Sequence, residues 1–337
     1  MRFMGEIRRT KTEYGGFLPI ELNQGREYFA DYEKQLCRFN TVKAALDCLI
    51  GQLGKRSIHV PYYYCPSTIE AIKKTGIEVC FYHIDRNFMP IGLPDEDGSI
   101  VLLVDYFGVC TGRVVQFVHS FKRTEVVIDR AHAFFSAPVI SRHVHNVYSA
   151  KKFFGVPDGA YLISGAMLPY VEPPTFASGY AEYLLKTYEE GTNAAYRMKK
   201  DVDNRLANNY GSMSVLSIGL LKNVDYHSVE KKRRDNYRTL REAFNAINCL
   251  ALPVDSPAYQ FPLLILEKGK HIKRILVEDK IFVSTLWSGQ DLKDNGNDFE
   301  IDMMENAVFL PIDQRYGSED MEYIISCVKA GVERYGS

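Results

Sequence analysis

Several features that would decide the class of this chain outright are missing from it. No apolar run approaches the roughly 20 residues that a bilayer-spanning helix needs, so no membrane segment is expected. The N-terminal stretch MRFMGEIRRTKTEYGG is charged and has no apolar h-region, which argues against a secretory signal peptide. The formal net charge is only -1, so no broad positive field draws in nucleic acid or an anionic membrane. The seven cysteines (Cys37, Cys48, Cys65, Cys80, Cys110, Cys249, Cys327) contain no C-x-x-C pair. An odd, dispersed set inside apolar segments reads as reduced, buried thiols in a cytoplasmic protein. No G-x-G-x-x-G follows a strand pattern, which disfavours a nucleotide-binding dehydrogenase. His143 and His145 lie on one loop with no further carboxylate or thiol at ligand spacing, so a metal centre is not expected. There is no internal repeat and no low-complexity tract.

What the chain does have is an ordinary globular composition, 46% hydrophobic and 25% charged, over 337 residues. That length suggests one large domain and a smaller one. Ser57 to Val60 reads as a strand, Ser67 to Thr75 as a helix stopped by Gly76, and Ile77 to Ile84 as a second strand. Strand, loop, helix and strand in that order mark a βαβ unit and a parallel sheet. Ile100 to Val104 is a continuous apolar run suited to a strand covered on both faces. Upstream, Thr41 is placed to cap a helix from Ala44 to Leu53 that Gly54 closes. Later segments predict a long polar helix from Ser178 to Lys200, an apolar helix from Val215 to Leu221 and a charged helix from His227 to Ile247. The C-terminal region alternates strand and helix: strands over Ala258–Leu266, Ile281–Leu286 and Asn306–Ile312, helices over Lys270–Glu278 and Ser318–Arg334.

The chemistry concentrates between Glu125 and Ser164, EVVIDRAHAFFSAPVISRHVHNVYSAKKFFGVPDGAYLIS. A β-branched run ends in Asp129. A second strand, Asn146 to Ser149, ends in Lys151 and Lys152, and a third follows from Ala160 to Ile163. A carboxylate at one strand end and a lysine at the next is what a pyridoxal phosphate (PLP) site requires. The lysine amine bonds the cofactor covalently, and the carboxylate keeps the ring nitrogen protonated. A strand alternates faces, so only one of the two lysines points inward easily.

VIDRAHAF resembles the I-E-D-A-A-H-A stretch of the DegT/DnrJ/EryC1/StrS aminotransferases, PLP enzymes of the aspartate-aminotransferase fold. SAKKFFGVPDGA resembles that family's lysine segment, in which Glu-Gly-Gly comes six residues after the lysine. Counting back from Asp158 selects Lys152, with Ser149 three residues before it and Lys151 as the fallback. The resemblance covers roughly residues 36 to 330. It implies an α/β fold, a mostly parallel sheet covered by helices plus a small α+β domain. The expected division is an N-terminal arm over residues 1–35, a large PLP-binding domain over 36–245 and a small domain over 246–337. It also implies that Thr41, Val42 and Lys43, where the family has Ser-Gly-Thr, hold the cofactor phosphate at a helix N-terminus, with help from Ser149. His132 would lie near the phenolic oxygen. The ring-stacking aromatic falls by counting on Cys65, which leaves Tyr64 as the nearest candidate. Asp105-Tyr-Phe-Gly resembles the family's H-x-F/Y-G turn, and Phe309-Leu-Pro-Ile-Asp-Gln-Arg-Tyr its L-P-I-H/D-x-x-Y/M. Arg234, Asn236 and Tyr237 match an R-x-N-Y habit, and Asn208 to Met213 resembles the N-Y-R-M segment, with Asn209 or Tyr210 in the place of the asparagine that reaches the neighbouring subunit's phosphate.

The resemblance thus implies an aminotransferase acting on small molecules, an amino acid donor and a keto sugar, free or nucleotide-linked, working as a homodimer. Two other readings stay open: another PLP reaction of lyase or dehydratase type, and a PLP-fold binding protein without turnover. The missing glycine at Val42 and the missing aromatic at Cys65 are what the last reading rests on.

Overall fold

A computed structural model describes residues 14–166 and 173–334. The residues before Tyr14, and all but the last two of the connection expected from Pro169 to Pro174, lie outside the described residues. Seven strands form the main sheet: β1 Leu36–Phe39, β2 Ser57–Pro61, β3 Glu78–Tyr82, β4 Ser99–Val104, β5 Glu125–Arg130, β6 Val144–Ser149 and β7 Ala160–Ser164, in the order β1-β7-β6-β5-β4-β2-β3. Strands β3, β2, β4, β5 and β6 run parallel, while β7 is antiparallel to both β6 and β1. Strands β4, β6 and β7 are buried along their whole length, as a sheet covered on both faces demands.

Helix α1, Val42–Leu53, follows β1 directly. The Thr41 hydroxyl accepts the Ala44 amide at 3.1 Å, and Gly54 closes the helix in the left-handed region at φ 57°. Helix α2 is Pro66–Lys74 and α3 is Thr111–Val118. After the sheet come α4 Glu182–Glu190, α5 Thr192–Leu206, α6 Val215–Leu221 and α7 Tyr226–Phe244. A second, two-stranded antiparallel sheet pairs β8 Phe261–Leu264 with β9 Ala307–Leu310. Around it lie α8 Gly269–Glu278, α9 Gln290–Asn295, α10 Asp298–Asn306 and α11 Ser318–Arg334.

Three expectations are corrected. The helix expected from Ser178 to Lys200 is two helices, because Gly191 adopts φ 90° and is both the C-cap of α4 and the N-cap of α5. Ile281 to Leu286 is not a strand; only Ser284 bridges to Phe309. Helices α9 and α10 were not expected, although Asn297 and Glu300 form a reciprocal capping box that the sequence spells out. Glu300 is buried and also accepts the Ile84 amide at 2.8 Å, which fixes α10 to the end of the main sheet.

One apolar cluster runs continuously from the main sheet to the second one, through Tyr63, Tyr106, Phe107, Trp287 and Phe309. The ends of the two elements that matter most are brought close by a glycine. Gly108 sits at φ +80°, and a Cβ there would lie 2.8 Å from the His132 carbonyl oxygen. Only glycine lets the turn after β4 approach the turn after β5 so closely.

Candidate active site

The parallel register sets Val104 of β4 beside Asp129 of β5, and Asp129 beside Val147 of β6. The C-terminal ends of the three strands therefore open on one edge, where ligands bind in open α/β sheets. Asp129 is 5% exposed. Its Oδ1 accepts the Ala131 amide at 2.8 Å, and its Oδ2 accepts the Tyr64 hydroxyl. Burial pushes its pKa up, opposed by those two hydrogen bonds and by the charge of Lys152. The next residue, Arg130, points to the opposite face of β5. There it is fully buried and donates through Nη1 to Asp105 Oδ2 at 3.2 Å and Ser136 Oγ at 2.6 Å and through Nε to Asn146 Oδ1 at 3.3 Å, while its Nη2 has no partner among the described residues.

His132 lies in an aromatic stack. Its ring is 4.7 Å from Tyr259, 5.5 Å from Trp287 and 5.7 Å from Phe107, with interplanar angles of 18°, 12° and 25°. It is buried, and its Nδ1 has no hydrogen-bond partner among the described residues. Burial first, and then the charge of Lys152, hold its pKa well below 6.5, so the imidazole is neutral at pH 7.

Beyond β6 the chain turns sharply, with the Ala150 and Lys151 amides both directed to the Gly159 carbonyl and the Phe153 and Phe154 amides to the Ala150 carbonyl. The turn sends the two lysines apart. Lys151 reaches α5, with Nζ 2.7 Å from Asp203 Oδ1 and over the ring of Tyr183. Lys152 lies 5.0 Å from the centre of the Tyr259 ring, the same ring that stacks on His132, and its charge acts on both Asp129 and His132. Among the described residues it forms no ion pair.

Thr41, Val42 and Lys43 open α1, where the first amides of a helix have no partner within it. Burial lowers the pKa of Lys43. Asn40 joins this end to its neighbours: its carbonyl accepts the Gly159 amide at 2.8 Å and its Nδ2 donates to the Asn209 carbonyl at 2.6 Å. Asn209 is thus adjacent to the start of α1 through its backbone, while its own Nδ2 donates to the Tyr180 hydroxyl at 3.2 Å. Ser149 is buried at the end of β6, opposite Ala160. Tyr64 is buried with its ring edge-on to Trp287 at 6.0 Å, and Cys65 caps α2. Asp158, the residue used to count back to the lysine, serves elsewhere: it accepts the Ser214 hydroxyl at 2.9 Å and the Ser217 hydroxyl, at the start of α6.

Sequence reasoning passed over Tyr259, Trp287 and Gln314. Gln314 Nε2 donates to the Phe153 carbonyl at 2.8 Å, tying the segment after β9 to the lysine turn. Its motif, from Phe309 to Tyr316, was the available signal. The R-x-N-Y residues act in the same place, since Asn236 Nδ2 donates to the carbonyls of Ile312, Asp313 and Tyr316 at 3.2–3.3 Å.

The seven-stranded sheet and its helical cover match the α/β fold of solved structures described as sugar aminotransferases. Spr1654 from Streptococcus pneumoniae, described as a sugar aminotransferase and solved in its PLP form, aligns over 89% of this chain and 87% of its own at TM-score 0.61 and 17% identity. The sugar aminotransferase CalS13 from Micromonospora echinospora aligns over 90% and 91% at TM-score 0.62 and 14% identity. The E. coli GDP-4-keto-6-deoxy-D-mannose-3-dehydratase, solved with hydrated PLP, aligns over 89% of each chain at TM-score 0.63 and 14% identity. No protein-family profile and no curated protein matches the sequence. At such identities the likeness is one of fold.

Proposed function

We propose that the protein is a PLP-dependent aminotransferase that moves an amino group from an amino acid to a keto acceptor. The observation that carries this reading is the separation of the two lysines: Lys151 is taken by Asp203, while Lys152 shares a neighbourhood with Asp129 and His132. The residues suit PLP. A buried carboxylate, a lysine without an ion pair among the described residues, and a buried imidazole nitrogen without a partner share one region, and the lysine turn is tied through Gly159 to Asn40 just before α1. When bound, the cofactor supplies an electron sink that stabilises negative charge at a substrate carbon.

The chain's own residues then have these roles. Lys152 would hold the cofactor through its amine, and the same amine would carry a proton to and from the substrate α-carbon. Asp129 would accept a hydrogen bond from the ring nitrogen and favour its protonated form. The amides of Val42 and Lys43, with the hydroxyls of Thr41 and Ser149, would donate to the phosphate at the positive end of α1. His132, neutral at pH 7, offers its unpartnered Nδ1 to a polar group of the ring. Tyr64 and Asn209 are proposed as further cofactor contacts, and the Tyr259 ring lies beneath the exposed lysine amine at 5.0 Å.

The acceptor is proposed to be a keto sugar, free or nucleotide-linked, because the fold neighbours include sugar aminotransferases. Glutamate or aspartate is the proposed donor. A homodimer is proposed as well, supported by the exposed apolar side chains of Phe17, Leu18 and Ile20 in the N-terminal arm. The domain division at residues 35 and 245 and a cytoplasmic location belong to the same reading. No described helix is long and apolar enough to cross a membrane. The neighbouring dehydratase makes a PLP-dependent dehydration the second reading; the lysine at position 152 favours transamination.

The test is a half-reaction. Protein loaded with PLP is mixed with glutamate, and the cofactor spectrum is followed. Conversion to the amine form by wild type but not by Lys152→Ala is expected. A wild-type spectrum unmoved by glutamate and by aspartate, with PLP bound, would sink the transaminase reading.

A further inference from the structure

Resting on the reading above, we infer that Tyr64 competes with the cofactor for Asp129, its phenol holding the carboxylate oxygen that the ring nitrogen must take. Both oxygens of Asp129 are engaged as the chain stands. Oδ1 is used by the Ala131 amide, within the same strand-end turn, and Oδ2 by the Tyr64 hydroxyl. The backbone donor cannot leave without unwinding the turn; the side-chain donor can. A phenol O–H and a protonated ring N–H are both single donors attached to a flat six-membered ring, so each satisfies the same oxygen in the same way.

The surroundings hold the phenol in place. Tyr64 is 2% exposed and packs against Trp287. Its neighbour Tyr63 donates to the Leu286 carbonyl at 2.6 Å, and Tyr106 donates to the Tyr63 carbonyl at 2.8 Å. The loop between β2 and α2 is thereby fastened to the segment that carries Trp287. On this inference cofactor entry displaces the Tyr64 hydroxyl from Oδ2, and the cost appears as weakened cofactor affinity. Removing the hydroxyl while keeping the ring removes that cost from the cofactor-free state only.

Tyr64→Phe in the full chain is the test, titrated with pyridoxal phosphate. Trp287 is the one tryptophan of the sequence, so quenching of its emission reports binding without any turnover, and the visible band of lysine-bound cofactor is read alongside. A hydrogen bond to a charged group implies affinity tighter by roughly ten- to a hundredfold in Tyr64→Phe. In an Asp129→Ala background the same substitution should leave affinity unchanged, as a double-mutant cycle requires for a direct interaction. If Tyr64→Phe is poorly folded, Asp129→Asn, which keeps the Oδ1 acceptor for Ala131, is titrated with and without Tyr64→Phe, and the hydroxyl should then make no difference to affinity. Equal or weaker binding in Tyr64→Phe, or a hydroxyl effect that persists in Asp129→Asn, with a Lys152-dependent band in wild type, overturns the competition alone. Absence of that band in wild type and in every variant overturns the cofactor reading and this inference together.

Discussion

Replacing the two adjacent lysines one at a time should separate stability from cofactor retention in opposite senses. In Lys151→Ala the lost interaction is an ion pair at 2.7 Å between side chains 18% and 44% exposed. Partly exposed pairs of this kind contribute about 0.5–1 kcal/mol after screening and side-chain ordering. Asp203 keeps Lys199 at 2.6 Å, so it is not left without a cation, and the lower end of that range applies. Lys152→Ala loses only the contact over Tyr259, at 5.0 Å from the ring centre. An exposed cation–π contact is worth about 0.5 kcal/mol. With about 2 °C or less of melting temperature per kcal/mol in a chain longer than 250 residues, both variants should melt within about 2 °C of wild type. Their spectra should differ completely. Lys152→Ala should give no visible band with PLP, and Lys151→Ala should retain it. The assay is thermal denaturation together with an absorbance titration of each purified variant. A band lost in Lys151→Ala and kept in Lys152→Ala would refute the assignment of the nucleophile and, with it, the meaning given to the Asp203 ion pair.

Two further outcomes concern the scaffold. Asp158→Ala leaves the Ser214 and Ser217 hydroxyls without their buried acceptor, and should cost roughly 2–3 kcal/mol in chemical denaturation; stability unchanged within error would mean that α6 is capped adequately by Ser214 alone. Asp95 accepts the amides of Arg123, Lys122 and Thr124 at 2.9–3.1 Å, which holds its pKa down to about 2 from an ordinary 3.8. A carboxylate with a lowered folded pKa gives stability that is fully present above its unfolded pKa and lost as the pH falls through the folded one. Between about pH 4 and pH 2 the wild type should therefore lose stability that Asp95→Asn never had, so their denaturation midpoints should converge; parallel curves would remove Asp95 from the acid response.

The sequence by itself determined the local elements around the site. A β-branched run ending in Asp129, a buried apolar strand from Ile100, and Thr41 and Gly54 at the two ends of α1 are features that neighbouring residues dictate through period, capping and positive φ. The same local logic was available at Asn297 and Glu300, where a capping box was passed over, and at Gly191, where a glycine divides what composition alone makes one helix. Motif counting reached Lys152 by way of Asp158, a residue whose own side chain is spent on the start of α6. Tertiary structure alone decided which lysine lies beside Asp129, because the turn after β6 and the position of Asp203, some fifty residues on, direct the two side chains apart. It alone decided that Tyr64 donates to Asp129, and that His132 is covered by Tyr259 and Trp287. Those rings arrive from the far side of a packed interface between two sheets. Contacts of that kind depend on how whole elements pack, and no pattern within a few residues of His132 encodes them.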